Sequence, residues 1–167
     1  MFTIEAVDLV FSNGVQTQYE RLRGSSSGAV LIVPMLDEDT LLLIREYSVG
    51  SERYELGFPK GRIEQDEPAV DAANREIMEE VGYAANDLHV LRTMTLAPGF
   101  SCSRTHVVLA TGLYPQRREG DEPEPLEVVT WKLSDYQSLL AAEDFTEARS
   151  IAALYMVKDY IEQQRKA

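Results

Sequence analysis

Two nearly unbroken apolar runs, AVLIVPM at 29–35 and TLLLIREY at 40–47, stand out along the chain. Neither alternates between apolar and polar positions, so each reads as a central strand buried on both faces. The acidic turn Asp37–Asp39 joins them. Ahead of them, FTIEAVDLVF (2–11) and VQTQYERLR (15–23) flank Ser12-Asn13-Gly14. An Asn-Gly pair supplies the positive φ angles of a tight turn, which predicts an antiparallel hairpin over 2–23. GSSSG at 24–28 reads as a flexible loop, too short to link domains. Further on, a short strand is expected near Arg53–Phe58, and LHVLRTMTL (88–96) and THVVLATGLY (105–114) are expected as strands around APGFSCSR. LEVVTWKL (126–133) reads as another strand, with Trp131 in the core.

Helical periodicity appears in three places. The segment after Pro68 is helical up to Gly82: Pro68 fits a first helical position, Asp66 or Glu67 can cap the free amides, and Gly82 can take the left-handed turn that ends a helix. SDYQSLLAAE (134–143) opens with Ser134 as a cap. Residues 146–163 place Ala148, Ile151, Ala152, Tyr155 and Asp159 at helical spacing, with Leu154 and Met156 or Val157 widening the stripe. Strands interleaved with helices predict an α/β fold, a mixed β-sheet flanked by helices with an N-terminal antiparallel hairpin. With no internal repeat, residues 1–167 are expected to form one domain whose C-terminal helices cover 134–163.

Composition narrows the function classes. A net charge of −12 disfavours nucleic acid and anionic membranes, because the basic stretches RLR (21–23) and Arg117–Arg118 are short and isolated. No apolar run is long enough to span a bilayer. The lone Cys102 permits no internal disulfide and suits a reducing compartment, so a cytoplasmic protein is expected. His89 and His106 sit apart among strand residues, which argues against zinc.

The acidic helix carries the chemistry. Glu76, Glu79 and Glu80 crowd together although like charges three and four apart repel by about 0.2–0.5 kcal/mol per pair. With Glu76 at zero and about 100° per residue, Glu80 falls near ~40° and Glu79 near ~−60°, while Ala73, Ile77, Val70 and Val81 fall between about 60° and 140°. The glutamates therefore border the apolar stripe. Crowded, partly buried carboxylates need a cation, and all-oxygen donors suit magnesium or manganese. Such a pair taken alone is also an ordinary solvated face. Arg75 can hold a carboxylate with its fork, and Gly61, placed in a turn, can let backbone approach a metal or phosphate.

Gly61, Glu67, Arg75-Glu76, Glu79-Glu80 and Gly82 stand at the spacing of the Nudix box over 61–83, with Tyr83 where an aliphatic residue is commoner. The chain thus resembles the Nudix hydrolases, which cleave a nucleoside diphosphate joined to another group. That resemblance implies an α/β/α sandwich and Mg2+, with Mn2+ as a substitute. It assigns Glu76 and Glu80 as the most direct metal ligands, with Glu79 and the Lys60 carbonyl completing the shell. It makes Glu80 and Arg75 part of the catalytic set, and Gly61, Glu67 and Gly82 structural. Pro98, 16 residues beyond Gly82, resembles the marker of the ADP-ribose pyrophosphatase branch. The loop QRREGDEPEPLEVV corresponds to one that supplies a further carboxylate; Glu122 is assigned as base and Glu124 as added ligand, with Glu119 and Asp121 as rivals and plain solvation as the alternative.

Likeness along nearly the whole chain goes to enzymes that accept ADP-ribose, reduced NAD and diadenosine triphosphate. Hydrolysis would release AMP from such a small ADP-containing substrate. Arg45, Glu55, Arg62, Pro98 and Arg104 are placed as substrate-binding, the alternative for the charged ones being surface ion pairs. Tyr47, Tyr54 and Phe100 would either stack on adenine or lie in the core. Such enzymes commonly begin with a further N-terminal segment, which the resemblance implies is missing or differently placed here. N-terminal strands can help form a dimer in related enzymes, and a homodimer is expected. Alternative readings are hydrolysis of other diadenosine polyphosphates or diphosphoinositol phosphates, or a non-catalytic ADP-ribose-sensing module.

Overall fold

Strand formation follows the hydrophobic pattern from the first described residues. The computed structural model describes residues 3–24 and 27–166. Phe2, expected to open the hairpin, and Ser25 and Ser26 of the expected loop lie outside the described residues. Strands β1 (Thr3–Val10) and β2 (Gln16–Arg23) pair antiparallel as a separate two-stranded sheet. Gly14 sits in the turn at φ 82°, where a side chain would be strained, and Asn13 Oδ1 accepts the Val15 amide. Ile4, Val10, Phe11, Val15 and Tyr19 of this hairpin are exposed.

The two apolar runs become β3 (Ala29–Pro34) and β4 (Thr40–Ser48), each at the middle of its own sheet. The expected single mixed sheet is split in two. One has the order β6-β3-β8-β7, with β3 and β8 parallel and the outer pairs antiparallel; the other has the order β5-β4-β9 and is antiparallel. The further strands are β5 (Arg53–Gly57), β6 (Lys60–Arg62), β7 (Tyr83–Thr95), β8 (Arg104–Pro115) and β9 (Glu127–Lys132). Helices α1 (Ala69–Glu80), α2 (Tyr136–Leu140) and α3 (Ala148–Gln164) complete the fold.

Alternation along β3 explains why both its faces are buried. Val30 and Ile32 pack with Ala72, Ala73 and Ile77 of α1 and with Val81 at its end, while Leu31 and Val33 pack with Ala153, Leu154 and Val157 of α3. One helix thus covers each face, which is the expected α/β/α layering.

Several local expectations are corrected. Lys60–Arg62 is a strand rather than a turn, because it pairs antiparallel with Ala29–Leu31 at the edge of β3. Pro68 is the residue before the helix, extended at ψ 145°, and no side chain caps α1. Glu67 is occupied elsewhere, by the Glu64 amide and by Arg75. Ser134 does not cap a helix; its amide and hydroxyl both donate to Asp39, in a 3-10 turn ahead of the short α2. The buried face of α3 is Ser150, Ala153, Leu154 and Val157, with Tyr155 exposed. Ser150 turns inward because its hydroxyl accepts the Phe58 amide, and this sets the rotation of the helix. Trp131 is half-buried, its indole N–H donating to the Asp135 carbonyl. Tyr47, Tyr54 and Phe100 are exposed, so none is a core residue. Gly82 takes the left-handed conformation, φ 77°, at the end of α1.

Candidate active site

The site is assembled where α1 lies behind β6. Arg75 is its hub. Nε and Nη2 grip Glu67 at 3.0 Å each, Nη1 donates to Glu76 at 2.8 Å and to Glu79 at 3.1 Å, and Nη2 also reaches the Arg62 carbonyl at 2.9 Å. The planar fork suits this many oxygens at once. Three carboxylates and the β6 backbone thus share one guanidinium. The Arg75 hydrogen bonds hold Glu67 below its ordinary carboxylate pKa.

Gly61 fits into the same arrangement. A Cβ added there would lie 1.9 Å from the Glu76 carboxylate, an impossible separation. The Glu76 carboxylate therefore packs directly against Gly61, which only glycine permits. A glycine inside a strand is the signal for such an approach.

Glu76 and Glu80 are nearly excluded from solvent, at 8% and 5% exposure. Burial is the largest cause raising the Glu76 pKa, against the opposing pull of Arg75. Glu80 is pushed up to about 8, first by burial, with Glu76 and Glu46 adding repulsion and Lys60 opposing. Its Oε2 accepts the Lys60 amide at 3.0 Å, while the Lys60 ammonium pairs with Glu46. So Glu80 sits beneath β6, where burial outweighs the pull of the Lys60 charge and amide.

In front of these residues opens a cavity of about 1210 Å³, lined on one side by Lys60–Asp66 and by Arg75, Glu76 and Glu79, and on the other by Glu119–Glu122. The second wall is the loop between β8 and β9. It is tethered by the Gln116 amide to Gly82 O and the Arg118 amide to Met78 O, both at 3.1 Å. Arg118 also approaches Glu79 at 3.8 Å. Glu122 faces the cavity with its pKa raised by burial and by Glu46 and Asp121. Glu124, expected beside it as a ligand, is not in the cavity lining; it accepts the Tyr54 hydroxyl at 2.7 Å.

Not every expected residue comes to this cavity. Arg45 is tied to Glu127 and Asp144, and Glu55 to Arg53 and Thr146. Pro98 lies in a loop against the hairpin, beside Tyr19 and Arg21. Arg62 lines the acidic cavity and a second, adjoining one, which Arg104 also lines. Arg23 and Arg149 join them there; sequence inspection passed over both because they are far apart along the chain.

Among the described residues no three Asp, Glu, His or Cys side chains converge in an arrangement ready for a metal. Arg75 draws Glu67, Glu76 and Glu79 toward itself instead. The donor chemistry nonetheless fits a hard divalent cation. Burial raises the proton affinity of two carboxylates despite Arg75 beside Glu76 and Lys60 near Glu80, and all the candidate side-chain donors are oxygens.

Comparison with known proteins decides the family. A family model described as the NUDIX domain matches residues 26–155, and one described as the NudE-type Nudix hydrolase N-terminal domain matches residues 1–21. This chain is a Nudix hydrolase. The enzyme is 51% identical over 164 residues to ADP compounds hydrolase NudE of Escherichia coli (strain K12), covering 98% of this chain and 88% of that one. It is 30% identical to ADP-ribose pyrophosphatase of Bacillus subtilis (strain 168), covering 88% and 80%. A crystal structure of an ADP compounds hydrolase superposes on the Nudix hydrolase with a TM-score of 0.93 at 50% identity, covering 100% of this chain and 90% of that one. Nudix hydrolases generally use divalent metal ions, in keeping with the donor set.

Proposed function

We propose that this Nudix hydrolase cleaves the diphosphate bond of ADP-containing compounds, namely ADP-ribose, reduced NAD and diadenosine triphosphate, and releases AMP. The observation that carries the reading is the buried pair Glu76 and Glu80, the first against Gly61 at the wall of the acidic cavity and the second behind it under the Lys60 amide. Likeness over nearly the whole chain to relatives named for ADP compounds and ADP-ribose supports the substrate class.

Glu76 and Glu80 would hold Mg2+, or Mn2+ in its place, with Glu79 and the Lys60 carbonyl as supporting donors. Bound there, the cation supplies neutralisation of the diphosphate oxygens and Lewis acidity at phosphorus. The protein does the rest. Arg75 fixes Glu76 and Glu79 so that their charge does not reorganise during the reaction. Glu122, facing the cavity from the loop, accepts a proton from the attacking water, and its raised pKa suits that role. Glu124 anchors the loop through Tyr54. Arg62 and Arg104 bind the substrate beyond the scissile bond.

We also propose that the exposed apolar residues of the hairpin form the contact of a homodimer and that the protein works in the cytoplasm as one Nudix domain. Among the described residues no helix is long and apolar enough to cross a membrane. The deciding experiment is hydrolysis of ADP-ribose, reduced NAD, diadenosine polyphosphates and nucleoside triphosphates in oxygen-18 water with Mg2+. AMP as a product from the first two compounds and from diadenosine triphosphate is expected, and mass analysis locates the label. Turnover confined to nucleoside triphosphates would sink the proposal.

A further inference from the structure

Beside the acidic cavity, and sharing Arg62 with it, is a second cavity of about 580 Å³. Its walls come from the end of β2, the start of β3, the loop between β7 and β8, and the start of α3. Such a volume is ordinary for a small-ligand site. Its charge is not ordinary for this protein. Arg23, Arg62, Arg104 and Arg149 all line it. Arg149 is paired with Glu147, but among the described residues Arg23, Arg62 and Arg104 make no ion pair.

Acidic residues outnumber basic ones by 28 to 16, so partners are plentiful, and Arg21, Arg45, Arg53, Arg75 and Arg118 each have one. Three unpaired guanidiniums in one concavity repel one another, and an anion relieves that repulsion. Leu96 and the 56% exposed Phe100 add apolar surface at the same cavity.

We infer that this basic pocket receives a phosphate beyond the scissile diphosphate, so that the enzyme is built for ADP compounds whose far half is itself phosphorylated. The inference rests on the proposed ADP-compound activity and gives it a direction. A diphosphate lying over Glu76 passes its far half across Arg62 into the pocket. ADP-ribose and reduced NAD put an uncharged ribose or ribosyl group there. Diadenosine triphosphate puts a further phosphate there, which guanidinium forks bind with paired N–H donors.

The test compares kcat/KM for diadenosine triphosphate and ADP-ribose in the parent, Arg23→Gln, Arg23→Lys and the double variant R23Q/R104Q. Loss of a charged hydrogen bond predicts that R23Q lowers the value for diadenosine triphosphate about tenfold more than for ADP-ribose. Arg23→Lys, which keeps charge but not the fork, recovers part of that difference. An unchanged ratio in R23Q and in the double variant overturns the inference while leaving the ADP-compound activity standing. Calorimetric titration of inorganic tripolyphosphate without divalent metal reads the pocket independently of turnover. The double variant is expected to bind at least about tenfold more weakly. Equal affinity of the two proteins overturns the assignment even if neither nucleotide compound is hydrolysed, and thermal melts verify that the variants are folded.

Discussion

The acidic cavity has two walls that hold carboxylates in opposite ways. On the α1 side, Glu76 and Glu79 of the helix and Glu67 just before it are locked to one guanidinium, and Glu80 is fixed by the Lys60 amide under β6. Across from it, Glu119, Asp121 and Glu122 make no side-chain hydrogen bond among the described residues. Their loop is tied at one end by two backbone bonds to the C-terminal end of α1 and at the other by the Tyr54–Glu124 contact. A rigid helix serves for groups that must present charge in a fixed place. A tethered loop serves for a group that must meet water and follow the substrate.

The comparison breaks most visibly at Glu80. Glu80→Gln keeps the size and the acceptor for the Lys60 amide but removes the charge. Turnover with Mg2+ is expected to fall about a thousandfold or more, with an unchanged circular dichroism spectrum. Near-parent activity would mean that the fixed wall is not the cation-holding one. Glu122→Gln is expected to lower kcat by a smaller factor, about tenfold to a hundredfold, since proton transfer contributes on the order of 10²–10⁴ and Glu119 or Asp121 stands close in the same loop. Equal losses in the two variants would erase the distinction between the walls.

These two walls differ as much in legibility as in mechanics. The box glutamates, Arg75 and Gly82 were readable because a helix converts spacing into geometry. The strands β3 and β4 were readable because burial on both faces leaves an unbroken apolar run. The strand β6 was not, since three residues are too few for a pattern and its pairing with β3 is a tertiary event. Of the two expected caps, Asp66 or Glu67, neither caps α1, and the Glu67 carboxylate is taken by Arg75 from about two helical turns away. The rotation of α3 was hidden because a buried serine, satisfied by the Phe58 amide, breaks the rule that apolar residues mark the inner face. Arg23, within the isolated RLR stretch, and Arg149 carry no site signal in the sequence, because a pocket gathers residues that no local window contains.

Glu67 tests the rigid wall without touching turnover. Its folded pKa is lowered, chiefly by Arg75, so ionised Glu67 stabilises the fold above the unfolded carboxylate value near ~4.3, and that contribution is lost as pH falls through the lower folded value. Glu67→Gln is expected to reduce unfolding free energy by about 2 kcal/mol at pH 7, the worth of charged hydrogen bonds to a partly buried group. Urea melts of parent and variant should draw together as pH falls below the unfolded carboxylate value and converge only below the lowered folded one. A difference that persists unchanged in acid would mean that the Arg75 clamp adds no stability through charge.

The smallest expected effect lies at the tether of the loop wall, and it sharpens the comparison best. Tyr54 is exposed and donates to Glu124 from β5, so Tyr54→Phe removes one hydroxyl and little packing. A single exposed hydrogen bond of this kind is worth about 0.5–1.5 kcal/mol, which translates into roughly a threefold to tenfold change in how often the loop is docked. If docking brings Glu122 to the water, kcat falls by up to that factor while KM stays within about twofold, because the α1 wall proposed to hold the diphosphate is unaltered. Thermal stability should fall by no more than that one bond is worth, about 0.5–1.5 kcal/mol. Combining Y54F with E122Q distinguishes a docking role from independent packing. Once the carboxylate is gone the tether has nothing left to position, so the double variant should be no slower than E122Q alone. Additive losses would place Tyr54 outside the path to Glu122, and the loop would then owe its position to the two backbone bonds at its other end.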